Sequence, residues 1–232
     1  MHTTASFGGL TLGAFVGERL VGYSYALPGF DGRPFLLSCG LAVAPGFESR
    51  GVGLALKLAQ ARHAREAGYD LARWTTNALA SRPLHVYLSK LGARLIRYRA
   101  GMYADLVEPV LPDEVEIEWD LGTAGTAPTA RRGTLPRPVT RTRSPARGTR
   151  RLVGVDDRLL ADPVLPSYSV EIPWDRATLA RDVPELAREW LAGVRMAMRA
   201  LLAADYVGTV VLPEASTRRS FVVFDRARQE PG

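Results

Sequence analysis

Between Val43 and Leu54 the chain reads Val-Ala-Pro-Gly-Phe-Glu-Ser-Arg-Gly-Val-Gly-Leu, an apolar strand that runs into a glycine-containing turn and opens a helix. The first amides of a helix have no intrahelical partner, and with the positive end of the helix dipole they form a ready anion site. Gly51 and Gly53 let the main chain curl and let a ligand approach where side chains would obstruct it. The chemistry this arrangement supports is the holding of a pyrophosphate. A short glycine turn is also an ordinary strand-to-helix connection, so its neighbours must carry part of the argument.

Few other residues have types and spacings that suggest chemistry. His2, His63 and His85 lack the Cys or carboxylate spacing of a metal site, so no metal is expected. A Ser-His-Asp triad cannot be argued from these positions either. The single cysteine, Cys39, excludes an internal disulfide and fits a reducing compartment, and hence a cytoplasmic location. With no histidine or other base recognisably paired with it, Cys39 reads as a small buried residue before it reads as a nucleophile.

The elements that must position the turn follow from periodicity. Strands are predicted at Leu10–Val16, Leu20–Leu27 and Phe35–Val43, joined by hairpin-like turns into an antiparallel meander. A helix over Gly53–Ala67 then crosses to a strand at Leu71–Thr76. A second helix, Arg82–Leu91, has Pro83 in its first turn, where proline is tolerated, and leads to a strand at Ala93–Arg97. Further on come strands at Arg151–Val155 and Tyr168–Pro173. Asp182-Val-Pro-Glu185 reads as the start of a helix reaching about Ala204, with Leu186, Trp190, Val194, Ala197 and Leu201 on one face. Val207–Leu212 and Ser220–Phe224 read as a closing hairpin.

The order and spacing of the parts from Gly8 to about Leu121 resemble the GNAT acyltransferases, which bind acyl-CoA. The superfamily's turn, Arg/Gln-x-x-Gly-x-Gly/Ala, is matched by Glu48-Ser-Arg-Gly-Val-Gly53. Glu48 departs from it, because a carboxylate repels the phosphate that Arg or Gln attracts; Arg50 offsets this from within the loop. Lys90-Leu-Gly-Ala93 is a second shared mark. Trp74-Thr-Thr-Asn-Ala-Leu79, Leu111-Pro-Asp-Glu114 with Trp119, Glu171-Ile-Pro173, Trp190 and Tyr206-Val207 resemble a little-characterised subgroup of predicted acetyltransferases with a C-terminal extension.

The resemblance implies an α+β (α/β layered) fold: a GNAT-like mixed, mostly antiparallel sheet flanked by helices, with a second, smaller α+β half. It implies an acyl-CoA-dependent N-acyltransferase, in the first instance an acetyltransferase, acting by direct transfer on a small amine or amino acid. Acetyl-CoA or another acyl-CoA is the cosubstrate. Leu41 and Val43 would offer main-chain groups to pantetheine, while Arg50, Gly51, Val52, Gly53 and Leu54 would hold the pyrophosphate. Relatives protonate the departing thiolate with a Tyr whose place is taken here by Leu88. Tyr87, one residue away and so about 100° round a helix, is the candidate acid if the helix is shifted. Cys39 stands where the subgroup has a His and is the other catalytic candidate. Asn77, Ala78 and Glu114 replace the subgroup's Asp, Pro and Arg. A full domain of the superfamily also opens with a strand and two helices, which are expected to be missing before Leu10.

Charge separates the halves. The net charge is +6 and the pI about 9.8, but Arg131, Arg132, Arg137, Arg141, Arg143, Arg147, Arg150 and Arg151 fall in a stretch with no acid between Asp120 and Asp156. Without these eight the net charge is −2. The expected organisation is a GNAT-like domain over 1–121, a disordered Arg/Pro/Thr-rich linker over 122–150 and an α+β half over 151–232, read also as a partial copy of the first. Two rival readings remain open: a GNAT-derived module that binds CoA or a protein partner without turnover, and association with RNA or DNA through the linker. Nucleic acid is not the favoured partner, since no aromatics interleave the arginines. No run is apolar enough to cross a membrane. Oligomeric state, acyl group and acceptor are not legible in the sequence.

Overall fold

The computed structural model describes residues 8–102, 113–123, 135–143 and 150–227. It divides into two compact units, one of 1–74 with 118–127, the other, larger, of 75–117 with 128–232. The division therefore falls elsewhere than the boundaries at 121 and 151 that composition suggests.

In the first unit, β1 (Leu10–Val16), β2 (Arg19–Phe30) and β3 (Pro34–Val43) form the expected meander. Gly17 and Gly32 take the left-handed conformation at its two turns. Helix α1 (Val52–Glu66) packs on these strands through Leu56, Lys57, Gln60, Ala61 and Ala64, a stripe at helical spacing. It crosses to β4 (Leu71–Asn77), which lies parallel to β3. The closing residues of β6 (Glu114–Asp120) also belong here. Arg73 forks onto Glu118 at 3.1 and 2.8 Å, and the Trp74 and Trp119 rings meet edge-on at 6.2 Å.

The second unit has strand order β6-β5-β10-β11-β9, with β5 at Arg94–Arg99, β9 at Ser167–Ile172, β10 at Tyr206–Glu214 and β11 at Arg219–Arg226. The β5/β10, β10/β11 and β11/β9 pairs are antiparallel. The mixed, mostly antiparallel sheet with flanking helices agrees with the predicted class. Helix α2 (Ser81–Leu84) runs into a π-helical turn at His85–Lys90; α3 (Asp157–Ala161), α4 (Arg176–Asp182) and α5 (Pro184–Ala203) follow. The apolar face of α5 is buried as its period requires. Its start differs from the sequence reading: Val183 is the cap residue, and Asp182 instead ends α4 and pairs with Arg181 at 2.7 Å.

Part of the expected linker is structured. β7 (Thr140–Arg143) pairs antiparallel with β8 (Arg151–Val155), and Val139 and Thr140 are buried. The Glu171 amide donates to Thr140 Oγ1 at 2.8 Å. Arg141 donates to the Val155 carbonyl, Arg150 pairs with Glu171 at 2.7 Å and Arg151 with Glu189 at 3.0 Å, so these three charges are engaged within the unit. Two paired, partly buried strands repay the ordering that polar composition alone would not. Residues 124–134 and 144–149, which include Arg131, Arg132 and Arg147, lie outside the described residues.

Candidate functional site

In β3, Gly40 pairs with Tyr25 and Ser38 with Ala26, leaving Cys39 as an extra residue in the strand. Such a bulge bends and twists its strand. The bend coincides with a parting. β3 pairs with β4 at Leu36↔Ala72 and Leu37↔Arg73 and no further, although β3 runs on to Val43. Over Gly40–Val43 the strand keeps β2 on one side and, among the described residues, has no strand on the other.

The turn completes the arrangement. Gly51 caps α1 at φ +85°, with no capping side chain and no acid in the first turn. The first intrahelical bond runs from the Ala55 amide to the Gly51 carbonyl, 2.9 Å, so the Val52, Gly53 and Leu54 amides open the helix without an intrahelical acceptor. A Cβ at Gly53 would lie in ordinary contact, 3.5 Å from Leu41 Cδ2 and 3.9 Å from Val43 Cγ2, so this helix position abuts the end of β3. The predicted cofactor residues Leu41, Val43, Arg50, Gly51, Val52, Gly53 and Leu54 are thus brought together within one unit. Glu48 folds back, its Oε2 accepting from the Gly46 amide at 2.6 Å. Arg50 and Arg19 both stack on Phe47, at 5.6 and 5.3 Å from the ring centroid, and bring two cations to the turn. Arg19 lies in β2, thirty-one positions from Arg50, and no local pattern in the sequence links them.

Under the start of the opening lies a residue that the sequence reading passed over. Lys57, on the sheet-facing side of α1, is 1% exposed. Its Nζ donates to Ser38 Oγ at 2.8 Å and sits 3.6 Å from the Trp74 ring centroid. Burial pulls its ammonium down to about 7, with the Cys39 thiol acting weakly in the opposite sense. The signal for it was a lysine on the buried stripe of an otherwise apolar helix face. Cys39 itself is exposed, not buried as expected, because it follows the inward Leu36 and Ser38 in the strand's alternation and shares the outward side with Leu37. Its Sγ donates to the Leu37 carbonyl at 3.4 Å, and partial burial pushes the thiol up, which keeps it protonated at neutral pH.

The other catalytic candidate, Tyr87, belongs to the second unit. It lies in the π-helical turn, where Leu91 donates to the Val86 carbonyl five residues back, and Leu88 beside it is fully buried. Burial and the Glu114 carboxylate both push the Tyr87 phenol up, so it carries its proton at neutral pH. Glu114 is itself raised to about 7, chiefly by burial; the Thr75 hydroxyl and Arg176 pull it down and Asp113 pushes it up. A raised carboxyl makes the native state bind more protons than the unfolded chain between its ordinary 4.5 and about 7, so its contribution to stability is lost as pH rises through that window. Glu114→Gln is therefore expected to become more stable relative to the natural chain on going from pH 5 to pH 8, read by urea unfolding at both pH values. Equal responses of the two proteins would show that Glu114 titrates normally.

Among the described residues, no three His, Cys, Asp or Glu side chains gather as a metal site, and no helix is long and apolar enough to cross a membrane. No family model and no curated protein matches the chain. Solved structures similar to it include an IAA acetyltransferase from Bacillus cereus ATCC 14579, at 20% identity over 51% of this chain and 81% of that one, TM-score 0.43. A GNAT family acetyltransferase from Elizabethkingia anophelis with acetyl-CoA bound is 18% identical over 51% of this chain and 80% of its own, TM-score 0.44. The ribosomal-protein-S18-alanine N-acetyltransferase from Escherichia coli is 18% identical over 54% and 79%, TM-score 0.45.

Proposed function

We propose that this chain is an acyl-CoA-dependent N-acyltransferase that moves an acyl group, in the first instance acetyl, directly from CoA to a small amine or amino acid in the cytoplasm. The observation that carries the reading is the parting of β3 from β4 at the Cys39 bulge, beside an uncapped helix start. Pantetheine is amide-rich and extended, so it can pair with the Gly40–Val43 edge as an added strand would. The pyrophosphate then reaches the Val52–Leu54 amides, with Arg50 and Arg19 supplying charge. The motifs at Glu48–Gly53 and Lys90–Ala93 are those through which the sequence resembles the superfamily. Transfer needs no covalent enzyme intermediate: orientation, polarisation of the thioester carbonyl and a route for the amine proton are enough.

A second reading, CoA binding without turnover, is favoured by one feature. Leu88, where the resemblance places a thiolate-protonating Tyr, is fully buried and carries no proton to give. Calorimetric titration of acetyl-CoA and of CoA tests both readings, followed by thiol release from acetyl-CoA in the presence of amino acids and simple primary amines. Micromolar binding with acceptor-dependent thiol release is the expected result. Binding without release across the acceptors selects the second reading, and absence of binding by the folded chain rejects both.

A further inference from the structure

Wholly within the second unit lies a cavity of about 360 Å³ that no step proposed above uses. Small-ligand sites span about 300–1,000 Å³, so this one suits a small organic molecule. Its apolar walls come from the end of β9 and from α4 and α5, through Ile172, Leu179 and Trp190. The acids that line it are all engaged at home. Glu171 is buried under Arg150 at 2.7 Å and Arg219 at 2.8 Å. Asp182 pairs with Arg181 at 2.7 Å, and Asp175 accepts from the Thr178 amide and hydroxyl at 3.2 and 2.8 Å. The arginines on these acids therefore equal them in number.

Two donors of the lining are left over. Arg218, in the turn that joins β10 to β11, is exposed, and Trp174, between β9 and α4, is half-buried. Among the described residues, neither the Arg218 guanidinium nor the Trp174 indole N–H has a hydrogen-bond or ion-pair partner. The surplus charge of the cavity is thus positive. Arg218 also stands at φ +52°, in the left-handed region. Glycine takes that conformation at little cost and arginine does not, so the turn is less stable than its geometry allows. Strain of this kind gathers at ligand sites, where a side chain has a use.

We propose that this cavity binds a small organic acid, with its carboxylate held by the Arg218 guanidinium and the Trp174 indole N–H and its apolar body lodged against Ile172, Leu179 and Trp190. A planar guanidinium offers a carboxylate two parallel hydrogen bonds, and the apolar walls take the rest of the ligand out of water. An ammonium ligand fits less well, because each carboxylate it would seek already has its donors. A bare inorganic anion would leave the apolar walls unused. The site is independent of the acyl-CoA reading, since no residue of the glycine turn takes part in it.

The probe is 3-phenylpropanoate, compared by calorimetry on the full chain at pH 7 with the matching amine and alcohol, 3-phenylpropan-1-amine and 3-phenylpropan-1-ol. The acid should bind at one site about 10-fold or more tighter than the alcohol, with the amine weaker still. Arg218→Gly should bring the acid down to the affinity of the alcohol. The same variant should keep or raise the urea midpoint, because glycine relieves the left-handed turn, and this separates loss of the site from loss of the fold. Trp174→Phe keeps an aromatic ring and removes the N–H donor, and should weaken the acid several-fold. No saturable binding of the acid by the folded chain, amine binding as tight as that of the acid, or an acid affinity that Arg218→Gly leaves unchanged would each overturn the assignment. Acid binding lost in Gly51→Glu and kept in Arg218→Gly would place the acid at the glycine turn and overturn it too. None of these outcomes decides whether the chain binds acetyl-CoA.

Discussion

Gly51→Glu is expected to weaken acetyl-CoA binding by about 100-fold or more. Two effects combine, and the larger is electrostatic. A carboxylate about 6 Å from a doubly charged pyrophosphate costs about 3 kcal/mol at an effective dielectric of about 40, which corresponds to about 100-fold in affinity. The smaller is conformational, since Gly51 sits at φ +85° and an L side chain there costs about 1–2 kcal/mol. Steric disruption does not confuse the result, because a Cβ at Gly51 would meet nothing within 4 Å. Gly51→Asn separates the two effects: asparagine tolerates the left-handed conformation and is neutral, so it should retain most of the affinity. Calorimetry on the three proteins decides the matter. Undiminished binding by Gly51→Glu would remove this turn as the pyrophosphate site, whatever the acyl donor.

Asp113→Ala is expected to cost about 2–3 kcal/mol of stability, below the range for a fully buried ion pair because Arg195 keeps part of its side chain in water. Asp113 is 0% exposed and stands just before β6. Arg195 of α5 forks onto it at 2.7 and 2.8 Å, Tyr98 of β5 donates at 2.6 Å, and the Gly101 amide donates at 2.9 Å. One carboxylate therefore ties a sheet strand, its neighbouring chain and the long helix of the second unit. Alanine would leave the guanidinium, the phenol and the amide short of a buried acceptor at once. Burial alone raises this carboxyl, but the hydrogen bonds from Arg195, Tyr98 and Gly101 outweigh it and hold it below the usual carboxylate range. The sign follows. A depressed folded-state value gives stability that is fully present above the ordinary carboxylate range and lost as pH falls through the folded value. Urea unfolding should show a deficit for the variant that is full at pH 7 and shrinks toward pH 3. A deficit below about 1 kcal/mol at neutral pH would mean that the cluster is a surface pair in energetic effect.

How much of this was legible depended on how far apart the cooperating residues lie. The meander, α1, the apolar stripe of α5 and the closing hairpin are written in local periodicity, and the structure places them within a few residues of expectation. The start of α5 was misread because Asp182-Val-Pro-Glu185 satisfies a capping pattern locally, while the preceding α4 already claims Asp182. β7 was hidden because Thr-Arg-Thr-Arg has the composition of a solvated tether; its pairing with β8 and the Thr140 contact to the Glu171 amide come from residues 8 to 31 positions away. The π-helical turn around Tyr87 was invisible for the same reason: an extra residue per turn leaves no mark in a helical pattern six residues long.

The sequence by itself determined the glycine turn, the strand before it and the helix after it, because strand alternation, the φ that only glycine takes easily, and helix periodicity are properties of neighbouring residues. Only the tertiary structure decided that β3 bulges at Cys39 and parts from β4, that Arg19 joins Arg50 on Phe47, and that Lys57 meets Ser38 and Trp74 at that parting. Each of these depends on which strands pair and where the pairing stops, a balance of main-chain hydrogen bonds and packing between segments distant along the chain that no local pattern encodes.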